Sequence, residues 1–134
     1  MNKKEFDKQK LIYHWISASD EDYDTMVALF DAQRYSWVLF VGHLVIEKLL
    51  KANFVEVNEE FPPFTHNLLK LAKDAQMQIT EERKIVLTTI TAFNLNTRYD
   101  DYKRSFQKQC TPEYTLEWVE TIKELRAWIK GQMK

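Results

Sequence analysis

The chain has 134 residues, 45% of them hydrophobic, which is enough for one domain (residues 1–134) whose core needs no metal or disulfide. Its 19 basic residues face 20 acidic ones, and the formal charge of -1 excludes a global basic field of the kind that drives sequence-independent nucleic-acid binding. The single cysteine, Cys110, excludes an internal disulfide and a cysteine-rich metal site, and fits a reducing cytoplasm.

The composition favours helices and a cytoplasmic location. Two glycines and three prolines are too few for a turn-rich β-sandwich or an architecture with many tight connections. The N-terminal segment Met1–Lys10 is charged, and the longest uncharged apolar run, Tyr35–Ile46, is too short to cross a bilayer. We therefore expect an all-α protein that is neither exported nor embedded in a membrane.

Two long helices are predicted first. Apolar residues recur at spacings of three and four over about Lys8–Ala32, which predicts an amphipathic helix. After a short break at Gln33–Tyr35, a second helix is predicted over about Tyr35–Val55. Its first half is apolar nearly all round, so it must be covered on several sides, either at the centre of a bundle or at a subunit interface.

Three further helices follow. Asn58–Phe64 contains two adjacent prolines and is predicted to be a loop, because proline cannot continue a helix. Thr65 and Thr80 are predicted to cap the next two helices, since a hydroxyl can accept an exposed backbone N–H. Thr111 followed by Pro112 is predicted to start the last helix, because proline's fixed φ and missing N–H suit the first helical position. Arg98–Gln109, between the last two, is polar, basic and aromatic. We predict a five-helix up-and-down antiparallel bundle with two long N-terminal helices.

Three short motifs occur in a fixed order that spans nearly the whole chain. They are Trp15 with Ala18 and Asp22-Tyr23 in the first helix, Ile46-Glu47-Lys48-Leu49-Leu50-Lys51-Ala52 in the second, and Thr65-His66-Asn67-Leu68 joined to Thr97-Arg98-Tyr99-Asp100. The ordered set resembles the HEPN superfamily (higher eukaryotes and prokaryotes nucleotide-binding), and the chain looks like a small bacterial stand-alone member.

The resemblance implies a compact helical bundle, commonly homodimeric, that acts as a nucleotide- or RNA-associated module. Small bacterial members often partner a minimal nucleotidyltransferase in a toxin–antitoxin pair, and some members are ribonucleases. The nuclease branch carries an arginine followed, after four to six residues, by a histidine. If Arg98 is that arginine, the histidine positions hold Lys103, Arg104 and Ser105, so no imidazole can serve there as general acid or base. We therefore expect a non-catalytic protein without a cofactor.

The second helix carries ionisable residues on one side. Glu47 precedes Lys51 by four residues, a favourable spacing for a helical ion pair, and His43 lies one turn earlier. These residues either pair with one another or face a ligand. His43 and Glu47 would be half of a metal site, but no second pair of ligands is evident, so no metal is predicted. His66 follows Thr65 and either meets an anion such as phosphate at the helix start or is a surface or capping histidine.

Arg98 and Tyr99 combine a guanidinium that can hold phosphate with an aromatic face that can stack on a base. The segment after them is mildly basic and has two more aromatic residues, a composition typical of a weak nucleotide or single-stranded RNA surface. In the alternative interpretation, Arg98 forms a salt bridge with Asp22 or Glu47, and Tyr99 fills the end of the core. The four tryptophans are expected in the core or in a dimer interface.

Three hypotheses about function follow. The first is a non-catalytic binding module, homodimeric through helix two or the last helix, that recognises a nucleotide or RNA. The second is a metal-independent ribonuclease toxin that uses Arg98 with a displaced partner such as His66. The third is a protein–protein interaction module, for example the partner of a nucleotidyltransferase. The first hypothesis assigns the ligand to six residues: Lys48, Lys51, His66, Arg98, Tyr99 and Arg104.

Overall fold

The computed structural model describes residues 6–133, which form six α-helices and no strand; residues 1–5 of the charged N-terminal segment lie outside this range. The helices are α1 (Lys8–Asp31), α2 (Tyr35–Asn58), α3 (Leu68–Asp74), α4 (Glu81–Arg98), α5 (Asp100–Gln109) and α6 (Pro112–Gln132). The predicted all-α fold class is confirmed. No helix in the described range is both long and apolar enough to cross a membrane.

The first two helices form an antiparallel hairpin. Gln33, with a φ of 62°, turns the chain between them. Beside this turn the rings of Phe30 and Tyr35 lie 5.6 Å apart, and at the opposite end Nζ of Lys51 lies 5.2 Å from the ring centre of Trp15. The start of α1 therefore packs beside the second half of α2.

The second helix lies at the centre of the bundle. All the other helices except α5 pack along it extensively, and 15 of its 24 residues are buried. Helix α6 approaches α2 closely at Gly42, where an added Cβ would lie 2.6 Å from Cδ1 of Ile122. The apolar first half of α2 is thus covered within a single chain, and this favours the bundle-centre alternative over a subunit interface.

The predicted count of five helices is wrong, because α5 lies in the polar segment outside the five predicted helices. Asp100 and Asp101 occupy its first turn and Lys108 its last, an arrangement that complements the helix dipole. Phe106 is buried and attaches α5 to the core. Its apolar residues are only Tyr102 and Phe106, one turn apart, which is too short a pattern for a periodicity argument.

Of the two predicted N-caps, the one at Thr80 is confirmed, and the predicted helix start at Thr111 and Pro112 is confirmed as well. Thr80 and Thr111 each accept a backbone N–H from the first turn of the helix they cap. The short helix α3 is capped by Asn67 instead, while the hydroxyl of Thr65 accepts the N–H of Asn67. Asparagine caps at least as well as threonine, so the cap moves two residues along the chain. His66 consequently lies in the loop, and the expectation that it sits at the first amides of a helix is wrong.

Candidate functional site

A buried ionic cluster centres on Glu47 in α2. Its Oε2 accepts a hydrogen bond from Nζ of Lys51 at 3.0 Å, and its Oε1 lies 2.8 Å from Nδ1 of His66. Nε2 of His43, one turn earlier on α2, lies 3.6 Å from the same Oε1. Three of the four residues are buried, whereas the side chain of His66 is 58% exposed. We call these four residues the Glu47 cluster; it joins α2 to the loop before α3.

The ring of His43 is oriented by a hydrogen bond at Nε2. Burial lowers the pKa of its imidazole, although the hydrogen bond to the carbonyl of His66 and the charge of Glu47 act in the opposite direction. The uncharged ring donates from Nε2 to that carbonyl, 3.0 Å away. Nδ1 has no hydrogen-bond partner among the described residues. The Nε2 edge is therefore the one that faces the other members of the cluster.

A small apolar cavity adjoins the cluster at Lys51. Its volume is about 320 Å³, and its walls include Leu11, Trp15, Phe61 and Phe64. The Phe64 side chain is fully exposed, so the cavity opens to solvent along the loop that contains the two prolines. The cavity is at the lower end of the size range of small-molecule pockets, about 300–1,000 Å³.

Lys48 does not join the cluster. Its Nζ lies 2.6 Å from Oδ2 of Asp22, so this lysine ties α2 to α1. Asp22 and Glu47 thus both have lysine partners, and the alternative in which Arg98 pairs with either carboxylate is wrong. Nε of Arg98 donates instead to Oδ1 of Asn94 at 2.7 Å, one turn earlier on α4.

An exposed basic and aromatic surface lies where α4 meets α5. The guanidinium carbon of Arg98 lies 5.5 Å from the ring centre of Tyr99, and Nζ of Lys103 lies 5.9 Å from that of Trp37. Tyr99 is 51% exposed and Trp37 is 39% exposed, so both rings are accessible to solvent. Arg104 is also exposed on α5. We call these five residues the Arg98 surface.

A polar cavity of about 510 Å³ borders this surface, between the α1–α2 turn and α5. Arg34, Trp37 and Gln107 are among its lining residues, and Cys110 also lines it. Burial raises the pKa of the Cys110 thiol to about 11, so it stays protonated at neutral pH and is a poor nucleophile. The cavity therefore adds a cation, Arg34, beside the Trp37 ring of the Arg98 surface, without adding a reactive group.

The six predicted site residues divide between two regions. Two of them belong to the Glu47 cluster and three to the Arg98 surface, while Lys48 belongs to neither. Thr97, which precedes Arg98, has its hydroxyl 3.5 Å from the carbonyl of Ser36 near the start of α2. Glu47 lies 11 residues after Ser36, which at about 1.5 Å per residue is roughly 16 Å along the helix. Thr97 thus lies beside a level of α2 about three turns before Glu47.

Sequence reasoning missed two features of these regions. Trp37, on an apolar stripe, was expected in the core or in a dimer interface. Its 39% exposure excludes the core alternative only, and its place in the first turn of α2 was the signal that one face could stay exposed. The contact between His66 and Glu47 was missed because a loop conformation decides it. The one signal was that both residues belong to the same ordered set of motifs.

Comparisons with known proteins agree with the helical architecture. The family model described as the HEPN domain matches residues 12–132. The crystal structure of TT1696 from Thermus thermophilus is similar to this chain with a TM-score of 0.76 and 15% sequence identity, over 91% of this chain and 98% of TT1696. At that identity the likeness shows the fold alone. No curated protein sequence matches the chain at a significant level.

Proposed function

This chain belongs to the HEPN domain family, and we propose that it is a non-catalytic member that binds a nucleotide or a short single-stranded RNA at the Arg98 surface. The observation that carries the proposal is the pairing of cations with exposed rings: the exposed Arg98 lies beside Tyr99, and the half-buried Lys103 lies beside Trp37. Association of the family with nucleotide- and RNA-related functions supports it.

The chemistry of the surface suits a ligand that has both a base and a phosphate. An exposed aromatic face stacks on any base, and this contact contributes about 1–3 kcal/mol per base. A guanidinium holds a phosphate with two parallel hydrogen bonds, which a lysine ammonium supplements as a point charge. Because the whole chain has a formal charge of -1, binding depends on this local group and is weak and sensitive to salt.

The absence of a suitably placed histidine supports a non-catalytic role. The nuclease spacing after Arg98 holds no histidine, and Nδ1 of His66 is engaged by Glu47, in the other region. A ribonuclease centre built on Arg98 would therefore need a histidine from a second copy of the chain. For this reason we rank the ribonuclease hypothesis second.

Homodimerisation and a nucleotidyltransferase partner remain part of the proposal. HEPN domains often dimerise. Of the two helices expected to form an interface, α2 is largely covered within the chain, which leaves α6, where Leu116 is 47% exposed. We therefore propose α6 as the interface, and cross-linking between copies through this helix would test it.

Thermal unfolding in the presence of ligands tests the binding proposal. We expect one or more mononucleotides, dinucleotides or short single-stranded RNAs to raise the unfolding midpoint, because a ligand that binds only the folded state stabilises it. In Arg98→Ala and Lys103→Gln the rise should shrink, with affinity lower by roughly 10- to 100-fold for the loss of a charged hydrogen bond of about 1.5–3 kcal/mol. Lys70→Gln is the matched control, since this exposed lysine lies on α3 and pairs with Asp74, away from the Arg98 surface.

Two outcomes would contradict the proposal. If none of the nucleotides or RNAs raises the unfolding midpoint of the folded protein, the hypothesis of a purely protein–protein interaction module is favoured. RNA cleavage by the wild-type protein that disappears in Arg98→Ala would show a ribonuclease instead of a binding module.

A further inference from the structure

Three potential metal ligands converge in the Glu47 cluster, although the sequence had suggested only two. The nearest ligand atoms of His43, Glu47 and His66 all lie within 4.8 Å of one another. The third ligand comes from the loop before α3, which spacing along a helix cannot reveal. The structure thus adds one ligand, not a second pair, to His43 and Glu47.

We propose that His43, Glu47 and His66 form a binding site for one divalent transition-metal ion, with zinc as the best fit. Two imidazole nitrogens with one carboxylate oxygen are a recurrent ligand set for zinc that keeps a fourth position open. The two nitrogen donors argue against magnesium and calcium, which prefer sets made of oxygen alone. The site goes beyond the proposed nucleotide function and does not rest on it.

Two of the three donor–donor distances are near those of a tetrahedral site, and the third, between the two imidazole nitrogens, is at most 4.8 Å. Metal–ligand bonds of about 2.0–2.1 Å place two donors about 3.4 Å apart. Nε2 of His43 and Oε1 of Glu47 are 3.6 Å apart and need almost no change. Nδ1 of His66 and Oε1 of Glu47 are 2.8 Å apart and must separate by roughly 0.6 Å. Since His66 lies in a loop and its side chain is exposed, this ligand can make the adjustment.

The surroundings fix two ligands and leave the third open to solvent. His43 and Glu47 are one turn apart on the buried face of α2, so the helix holds both side chains on the same side. Nε2 of His43 points into the cluster. To bind the ion it must give up the N–H that it donates to the carbonyl of His66, and the ring proton then lies on Nδ1, which is buried without a partner among the described groups, so this change lowers the expected affinity. The exposed His66 provides the route by which an ion and a water molecule enter.

Lys51 holds the carboxylate in place but weakens the expected affinity. Its Nζ donates to Oε2 of Glu47 at 3.0 Å, which leaves Oε1 directed at the two histidines. The ammonium also repels a cation nearby, so zinc should bind less tightly than at a site without this charge. Occupancy would fasten the loop before α3 to the central helix.

Zinc titration of the metal-stripped protein tests the site. We expect calorimetry to give one zinc ion per chain, and the unfolding midpoint to rise with zinc but not with magnesium. His66→Ala should lower the zinc affinity by more than about tenfold. His14→Ala is the matched control, since His14 is the one histidine outside the cluster and is exposed on α1. His66→Gln is a second variant that retains a donor for Glu47 if the alanine variant is poorly folded.

Each result either supports or overturns the site. Stoichiometric zinc binding that is lost in both His66 variants and retained in His14→Ala supports it. No stoichiometric binding, or equal zinc affinity in the His66 variants, overturns it. Neither result bears on the nucleotide proposal, because the residues of the Arg98 surface are not members of the Glu47 cluster.

Discussion

Asp20 in α1 links the N-terminal helix to the C-terminal one. Its Oδ1 accepts hydrogen bonds from Nη2 of Arg126 at 3.0 Å and from Nζ of Lys130 at 2.9 Å, both in α6. Burial by itself would raise the pKa of this carboxyl, but the hydrogen bonds and charges of the two basic residues outweigh burial and hold the pKa below 3.8. The native state therefore favours the ionised form of Asp20.

We predict that the stabilising contribution of Asp20 disappears in acid. Asp20→Asn should lower the free energy of unfolding at about pH 7 by about 0.2–1 kcal/mol, the usual range for a partly exposed ion pair. The native pKa is lowered, so the contribution is present above 3.8 and is lost as the pH falls below it. Urea unfolding of both proteins at about pH 7 and about pH 2.5 measures the change. Asp24→Asn, an exposed aspartate one turn later, is the control, and an Asp20→Asn effect of the same size at both pH values would contradict the prediction.

At the scale of single residues, the sequence predicts the contacts that are local in the chain. The spacing of Glu47 and Lys51 predicts an ion pair, and the structure places their charged atoms 3.0 Å apart. The contact between Arg98 and Asn94 has the same four-residue spacing and could have been predicted in the same way. The contact of His66 with Glu47 could not, because it depends on the path of a loop that contains two prolines.

At the scale of elements, the long helices are predictable and the short polar one is not. Apolar periodicity identifies α1 and α2 to within a few residues. Helix α2 continues to Asn58, three residues past the predicted end, and stops where Glu59 adopts a φ of 55°. The helix α5 has ten residues, and its only apolar ones, Tyr102 and Phe106, are one turn apart, so the pattern was too short to identify it among the polar residues around them.

The crossing of α2 and α6 provides a test of the packing. We predict that Gly42→Ala and Ile122→Val are coupled, because an added Cβ at position 42 would lie 2.6 Å from the Cδ1 atom that the valine removes. Alone, Ile122→Val should cost about 0.5–1.5 kcal/mol through lost packing. In the Gly42→Ala background it should cost less, by at least about 0.5 kcal/mol, since it relieves the close contact.

Chemical unfolding of the wild-type protein, both single variants and the double variant measures this coupling. Alanine also has a higher helix propensity than glycine, by about 1 kcal/mol, so the double variant could equal the wild-type protein in stability. Strict additivity of the two changes would contradict the close approach of α2 and α6.

At the scale of the whole molecule, composition and motif order were sufficient for the fold class and the family. The ordered motifs predicted HEPN membership, which the family match over residues 12–132 confirms. The grouping of the site residues could not be predicted in the same way. Lys51 pairs with Glu47, whereas Arg98 follows Thr97, which lies beside Ser36, roughly 16 Å before Glu47 along α2. Only the packing of α4 on α2 determines that separation.

The most direct test of the proposed function is to follow the four tryptophan indole N–H signals by NMR while a short single-stranded RNA is added. The account predicts that the Trp37 signal shifts in proportion to bound RNA and that the shift is lost in Arg98→Ala. The signals of Trp118, packed edge-on against Phe93, and Trp128, beneath the guanidinium of Arg83, should stay in place. A Trp37 signal that remains unmoved at saturating RNA, or the absence of any shift at any RNA concentration, would contradict the account.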